Sequence, residues 1–406
     1  MLDVKTIRWL DVRLGSLACA ALTGLDGVLR VFRRNTVPSH TPRRILFIKL
    51  IEQGATVLAA DALHRAIERV GRENVFFCVF DENRPILDIM DLIPSENIFP
   101  FRNDRLGAFA ADTWRFMRTV RAWEIDTVVD LEFFSRGSAV LAWLTGARIR
   151  VGLHRFTNEN PYRGDLMTHR VQYNPYLHTA TFYSLLTECA WMDPEETPLP
   201  KVLPPTLSDG RLPRFKPDAA SLDRVTALLA ECGIRPAEQR IVILNPNASD
   251  LVPLRKWPLD RFQDVGRRLL EADERTAIIV TGTENERAAA ETLCRALDTP
   301  RAASLAGRTS LPELLALYTL SAVLVTNDSG PGHFAALTDI ASVVLFGPET
   351  PERYGPLGRD AHTIWARLAC SPCVNAFNHR FSPCTRNRCM EAIGVAQVVA
   401  AIRALL

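Results

Sequence analysis

The 406-residue chain lacks an excess of charge: 48 Lys and Arg against 46 Asp and Glu leave a net +2. A general nucleic-acid binder needs a broad cationic surface, so this balance argues against one. Neither half contains G-x-G-x-x-G, which weakens the case for a nicotinamide or flavin enzyme. There is no internal repeat and no low-complexity tract, and a 47% apolar content with 23% charged residues is that of an ordinary globular protein. At this length two domains are expected.

A clean membrane-spanning run is also lacking. Leu14 to Leu29 is largely apolar but is interrupted by Gly24, Asp26 and Gly27. Arg8 and Arg13 before it, and Arg30, Arg33 and Arg34 after it, suit a helix lying in the headgroup layer of an anionic leaflet. A helix packed on the protein and a cleaved signal peptide are the alternatives. Asp3, Asp11 and an imprecise cleavage pattern count against the signal.

Nine cysteines in a chain this long do not make a disulfide scaffold. Cys19, Cys78, Cys189, Cys232 and Cys294 lie in apolar or helical contexts and read as packing residues. Cys370, Cys373, Cys384 and Cys389 are grouped, with His379 in the same loop, and supply enough thiolates for a tetrahedral structural zinc. The spacing is not that of two tight pairs, so structural metal, reduced thiols and disulfides all stay open.

What the chain does contain is alternation of strand and helix. Strands are predicted at Arg44–Leu50, Val75–Phe80, Asp126–Leu131, Arg148–Gly152, Arg240–Leu244, Thr276–Thr281, Ala322–Thr326 and Ala341–Phe346. Helices are predicted between them, among others at Thr56–Val70, Arg105–Trp123, Ser135–Thr145, Leu259–Glu271, Glu284–Leu297, Leu311–Thr319 and Pro331–Leu337. Such alternation implies α/β folding with parallel sheets covered on both faces. Seven prolines between Pro194 and Pro217 mark a boundary between two such domains. The expected organisation is an N-terminal amphipathic segment and linker (1–43), a first domain (44–192), a linker (193–217), a second domain (218–390) and a C-terminal helix (391–406).

The most informative stretch is AVLVTNDSGPGHFAA, Ala322 to Ala336. A buried strand runs through a tight turn into a helix N-terminus, where backbone N–H groups and glycines let a phosphate come close. Ser329 supplies a hydroxyl, Gly330 a side-chain-free approach, and His333 sits in the first helical turn. An isolated D-S-G is equally well read as a capped strand-to-helix connection.

Its neighbours change that balance. RILFIKLIEQGATVLAADAL (Arg44–Leu63), VVDLEFFSRGSAVLAWLTGARIRVGL (Val128–Leu153), NPNASDLVPLRKWPLDRF (Asn245–Phe262), IVTGTENE (Ile279–Glu286), the Leu305–Ala336 stretch and VVLFGPETPERYGP (Val343–Pro356) occur in that order. Together they resemble glycosyltransferase family 9, the lipopolysaccharide heptosyltransferase-like enzymes, with D-S-G-P-x-H after K-W-P as the most specific element.

The resemblance implies a GT-B fold, two doubly wound Rossmann-like domains facing across a cleft, with the first binding acceptor and the second binding donor. It implies inverting transfer of a sugar, usually a heptose, from a nucleoside-diphosphate sugar to a lipid-linked or glycan acceptor at the cytoplasmic membrane face. On this reading Lys256, with Arg255 beside it, is the cation for the leaving diphosphate, and Ser329, Gly330 and His333 hold the phosphates. Asp328 caps the helix or orients His333, and Glu286, past Gly282, looks like the family's ribose-binding acid.

The sequence departs from the family at the catalytic base. The better-known members have Gly-Asp after the first strand, where this chain has Gly54-Ala55. Glu52 in the same loop is the candidate replacement, and Asp130 and Glu132 are candidates to position acceptor or cap the next helix. Lys256 and the helix N-terminus supply the charge in this reading, so no catalytic metal is expected. A non-catalytic nucleotide-sugar-binding protein and a nucleotide-sugar epimerase are the alternatives.

Overall fold

Short apolar runs such as Ile45–Ile48 and Val75–Phe80 are buried at every position. Strands of that kind need cover on both faces, which a parallel sheet wrapped by helices provides. The computed structural model describes residues 9–32, 41–158, 160–205, 211–248 and 252–406. Asp3, Arg8, Arg33, Arg34, positions 35–40 and 206–210 of the two expected linkers, and Ser249, Asp250 and Leu251 lie outside the described residues.

The chain divides into two units, Met1–Arg211 and Leu212–Leu406. In the first, β1 (Ile45–Ile48), β2 (Val75–Phe80), β3 (Ile98–Phe101), β4 (Thr127–Asp130), β5 (Ile149–Leu153) and β6 (His169–Val171) form one sheet in the order β3-β2-β1-β4-β5-β6. All neighbours are parallel, and Ile48 at the end of β1 lies opposite Asp130 at the end of β4.

The second unit repeats the arrangement. β7 (Arg240–Asn245), β8 (Thr276–Val280), β9 (Ala302–Ser304), β10 (Val323–Asn327), β11 (Ala341–Phe346) and β12 (Ala361–Trp365) follow the order β12-β11-β10-β7-β8-β9, again all parallel. Each sheet reverses its winding direction beside its first strand, between β1 and β4 and between β7 and β10. Ligands of open α/β sheets bind at the strands' carboxyl ends at such a point.

Among the described residues, eight of the twelve strands match the sequence expectation. The other four, β3, β6, β9 and β12, are the four sheet edges. β6, β9 and β12 are mixed in polarity, whereas β3 is apolar but interrupted by Pro100, which is tolerated because an edge strand needs ladder bonds on one side only. The helix expected at Thr56–Val70 is split into Gln53–Val57 and Ala60–Val70, because Ala59 N turns to Thr56 O, three residues back.

Six helices matter below: α1 (Ser16–Phe32), α2 (Arg136–Leu144), α3 (Leu259–Ala272), α4 (Leu311–Thr319), α5 (Gly330–Ala335) and α6 (Val395–Leu405). The amphipathic pattern of α3 shows why they seat where they do. Phe262, Val265, Gly266, Leu269 and Leu270 form its buried stripe, and Gly266 lets Leu297 approach. The same core takes in Val398, Val399 and Ile402 of α6. Ser310 and Glu313 close a reciprocal capping box at the start of α4.

Trp257, between β7 and α3, ties these parts together. It is 2% exposed, stacks edge-on against Phe262 at 5.0 Å, and its Nε1 donates to Ile393 O at 3.2 Å. Truncating Trp257→Ala removes that ring and leaves a cavity, so the second unit should lose about 3–5 kcal/mol. Urea unfolding followed by circular dichroism reads this directly. A loss below about 1 kcal/mol would show that the ring is not a keystone of this core.

Candidate active site

In the second unit the site is built where β7 and β10 end. Asn327, the last residue of β10, is fully buried and uses both ends of its amide. Its Oδ1 accepts from Trp257 N at 3.1 Å, and its Nδ2 donates to Pro246 O at 2.9 Å and Asn247 O at 3.1 Å. One side chain therefore clips the loop after β7 and the K-W-P turn to the D-S-G turn. Asn387 supports the same turn, donating to Leu254 O at 3.0 Å and Lys256 O at 2.9 Å.

Lys256 is exposed on this turn, whereas Arg255 turns inward. Arg255 Nε lies 3.2 Å from Asp328 Oδ2, and its Nη1 reaches Asp328 O at 3.4 Å. Of the two basic residues, Arg255 thus pins the D-S-G turn. Asp328, expected to cap α5 or orient His333, is 3% exposed and paired with Arg255. Ser329 stands at the N-cap of α5 without a side-chain cap bond, since its Oγ donates to Asn327 O at 3.1 Å.

His333 is buried one turn into α5. Gly332 allows this short helix to lie flat on the sheet, because a Cβ there would meet Val344 Cγ2 at 3.1 Å. On the β8 side, a side chain at Gly282 would meet Asn247 Nδ2 at 2.6 Å. Glu286 Oε2 accepts from Thr283 N at 2.7 Å and Thr283 Oγ1 at 3.0 Å, closing a capping box beside that glycine.

Glu349, in the loop after β11, was not singled out by the sequence, although it lies in the quoted Val343–Pro356 stretch. It is fully buried, accepts from Arg353 Nη2 at 2.8 Å through Oε1, and its Oε2 has no hydrogen-bond partner among the described residues. Burial pushes its pKa up to about 8, with Arg353 pulling the other way. Burial also raises Asp328, against the pull of Arg255. Both acids thus lie buried beneath the D-S-G turn, each beside an arginine.

In the first unit the equivalent position is closed by Glu132. Its Oε1 accepts from Leu50 N at 2.7 Å, Ile51 N at 3.1 Å and Lys49 Nζ at 3.2 Å. Asp130 is fully buried, pairs with Arg163 Nη2, accepts from Ser138 Oγ at 2.9 Å, and takes Glu132 N at 3.0 Å. Both carboxylates are thus occupied inside the unit. Capping of the following helix, α2, falls to Ser135, with Asp11 accepting from Arg136 N and Gly137 N at 2.9 Å each.

Glu52 is different: its side chain is 18% exposed, with Oε2 3.9 Å from Lys49 Nζ. Its backbone stands at φ 71°, a left-handed conformation rare outside glycine, and Ala55 is buried on the next turn.

Of the three states left open for the four grouped cysteines, the structure shows reduced thiols. All are free thiols, and among the described residues no three His, Cys, Asp or Glu side chains converge to hold a metal ion. Cys373 Sγ accepts from Ser382 Oγ at 3.2 Å and Cys384 Sγ donates to Arg386 O at 3.1 Å. The segment acts as a buttress, with Cys373 N donating to Pro348 O at 3.0 Å.

Residues 113–380 match the sequence pattern of Glycosyltransferase family 9 (heptosyltransferase). Lipopolysaccharide heptosyltransferase 2 of Escherichia coli K12 is 31% identical over 115 residues, 28% of this chain and 32% of that protein. Lipooligosaccharide heptosyltransferase 2 of Campylobacter jejuni strain 81116 is 25% identical over 174 residues, 41% of this chain and 52% of that protein. The matched stretches thus span about a third to a half of the length of these relatives.

Two solved structures share the fold. E. coli ADP-heptose lps heptosyltransferase II superposes with a TM-score of 0.67 at 19% identity, covering 89% of this chain and 98% of that one. The family 9 glycosyl transferase of Veillonella parvula gives 0.68 at 17%, covering 91% and 99%.

Glu349 supplies a pH test. Its folded pKa is above the ordinary 4.5, so the folded chain holds a proton that the unfolded chain has released. This contribution is complete below about pH 4.5 and is lost as pH rises through about 8. Glu349→Gln should flatten the fall in urea midpoint between about pH 5 and about pH 8. Parallel wild-type and variant profiles would show that the carboxyl is ionised throughout.

Proposed function

The chain belongs to glycosyltransferase family 9, the heptosyltransferase family, and on that premise we propose that it transfers a heptose from a nucleoside-diphosphate heptose to a lipopolysaccharide-core-like acceptor. The observation that carries this reading is the Asn327 clip, which gathers the K-W-P turn, the loop after β7 and the D-S-G-P-G-H turn at the carboxyl end of one sheet. One solved relative is E. coli heptosyltransferase WaaC with ADP, which supports a nucleoside diphosphate as the leaving group.

Departure of that group places negative charge on its phosphates. A site accelerates this step by donors that bind the developing charge better than the intact donor. Lys256 is the cation in this role, and the backbone N–H groups around Ser329 and Gly330 are fixed dipoles. Arg255 and Arg353 act one layer below, by neutralising Asp328 and Glu349 so that these acids do not repel the phosphates. Glu286, beside the tight Gly282 turn, is assigned to the ribose.

On the acceptor side Glu52 takes the proton from the attacking hydroxyl, giving a single displacement with inversion. Glu132 is assigned a positioning role, because it fixes the backbone of Leu50 and Ile51 from which Glu52 projects. One observation favours a second reading, a donor-binding protein without transfer: Ala55 occupies the place of the family's acid and is 7% exposed.

Glu52→Gln separates the two. With purified protein and a nucleoside-diphosphate heptose, the variant should lose about 10²–10⁴ in kcat while its donor Kd by calorimetry stays within about threefold. Unchanged turnover would remove Glu52 from the chemistry, and absence of transfer by the wild type with donor binding intact would favour the binding protein. Lys256→Ala should weaken donor binding and lower kcat by about 10²-fold or more.

A further inference from the structure

α1 and the turn before it are polarised in the reverse sense to a soluble surface helix. Asp11, Ser16, Thr23 and Asp26 point into the first unit. Asp11 caps α2 and pairs with Arg136 Nη1 at 3.2 Å, and Ser16 Oγ accepts from Arg136 Nε at 2.8 Å. Thr23 Oγ1 accepts from Asp165 N at 2.9 Å, and Asp26 Oδ1 accepts from Trp143 Nε1 at 2.9 Å. The seating is close. Gly164, at φ +75°, would bring a Cβ within 2.8 Å of Thr23 Oγ1 and 3.0 Å of Cys19 O.

The outward face is apolar. Between Trp9 and Val28 the exposed residues are Trp9, Arg13, Leu14, Leu17, Leu25 and Val28, together with alanines and glycines. The large apolar side chains among them are 47% to 69% exposed. Leu14, Leu17, Leu25 and Val28 recur at helical spacing, about half a turn from Ser16, Cys19, Thr23 and Asp26. No acid is exposed along this stretch, and in the sequence Arg30, Arg33 and Arg34 follow it.

We propose that this face rests in the headgroup and acyl boundary of an anionic lipid leaflet, with the helix lying flat against the membrane and the rest of the first unit behind it. The charge pattern selects lipid as the occupant. A second copy pairing through the same face would bring together two surfaces that each carry Arg13 and no exposed acid to offset it. Anionic headgroups complement them, and a tryptophan at the end of such a face matches the membrane interface.

Asp11–Leu29 is long and apolar enough to cross a bilayer by length and composition. Crossing would strip Asp11 and Asp26 from their partners and carry two carboxylates into hydrocarbon. Lying flat keeps every one of those contacts. The cytoplasmic face of a cell membrane, where a lipid-linked acceptor would be met, has the required charge.

Flotation of the full-length protein with vesicles tests this. Vesicles of phosphatidylethanolamine with about 30% phosphatidylglycerol should carry the protein, and pure phosphatidylcholine should carry much less. Leu17→Glu with Leu25→Glu should weaken partitioning about a hundredfold. These residues face solvent, so the circular dichroism spectrum and melting curve should stay as in the wild type, and so should donor binding by calorimetry. Vesicle binding does not require sugar transfer, so it fails or succeeds separately from that activity. No wild-type binding to anionic vesicles, undiminished binding by the double variant, or a dimer in light scattering that this variant dissolves would each overturn the proposal.

Discussion

A parallel sheet delivers every strand's carboxyl end to the same edge, but at the point where its winding reverses no helix connects the two central strands. The gap between the loops leaving those strands has to be closed by side chains. In this chain one buried residue does it in each unit, Asn327 in the second and Glu132 in the first. Both work by the same means, binding backbone groups that the strand ladder no longer satisfies. The residues assigned to chemistry hang from those clips: Lys256 follows the turn held by Asn327, and Glu52 follows the backbone held by Glu132.

The choice of side chain at the two clips differs in a way that suits the ligands proposed. Asn327 is neutral and both donates and accepts, so it adds no charge beneath a turn that is to receive phosphates. Glu132 is an acceptor of three N–H donors, one of them the Lys49 ammonium, so its charge is spent locally. The other acids beneath the D-S-G turn are handled by burial and an arginine each, Arg255 for Asp328 and Arg353 for Glu349. Burying such groups costs free energy that their arginine partners offset only in part. Their presence under a surface turn is easier to understand as field control than as stabilisation.

How much of this was legible in the residues follows from burial. The eight central strands are built on short apolar runs, such as Ile45–Ile48 and Val75–Phe80, and stand out. The edges do not: Ala302–Ser304 is a part-exposed run of three residues, and Ile98–Phe101, though apolar and buried, is interrupted by Pro100. K-W-P and D-S-G-P-x-H were visible as patterns, but their contact through Asn327 joins residues 70 and more positions apart. Spacing carries no information about that. Asp130 and Glu132 read as available carboxylates because nothing near them in sequence announces Arg163 or the Leu50 amide as partners. The cysteine spacing suggested a metal, whereas the folded segment spends Cys373 and Cys384 on single hydrogen bonds. The apolar character of α1 was plain, but which face turned inward depended on Arg136, Trp143 and Asp165.

Glu52 brings these threads to one residue. A non-glycine at φ 71° costs of order 1–3 kcal/mol, and the neighbouring chain contains glycine two positions later, so a relaxed turn is easily encoded. The strain is held from both sides: Glu132 fixes Leu50 and Ile51 before it, and Thr56 N donates to Glu52 O at 3.1 Å after it. The result is a carboxylate projected from the carboxyl end of β1 by a backbone that cannot relax without breaking those bonds. This is the physical ground for assigning the proton to Glu52 although Ala55 has taken the place of the family's acid.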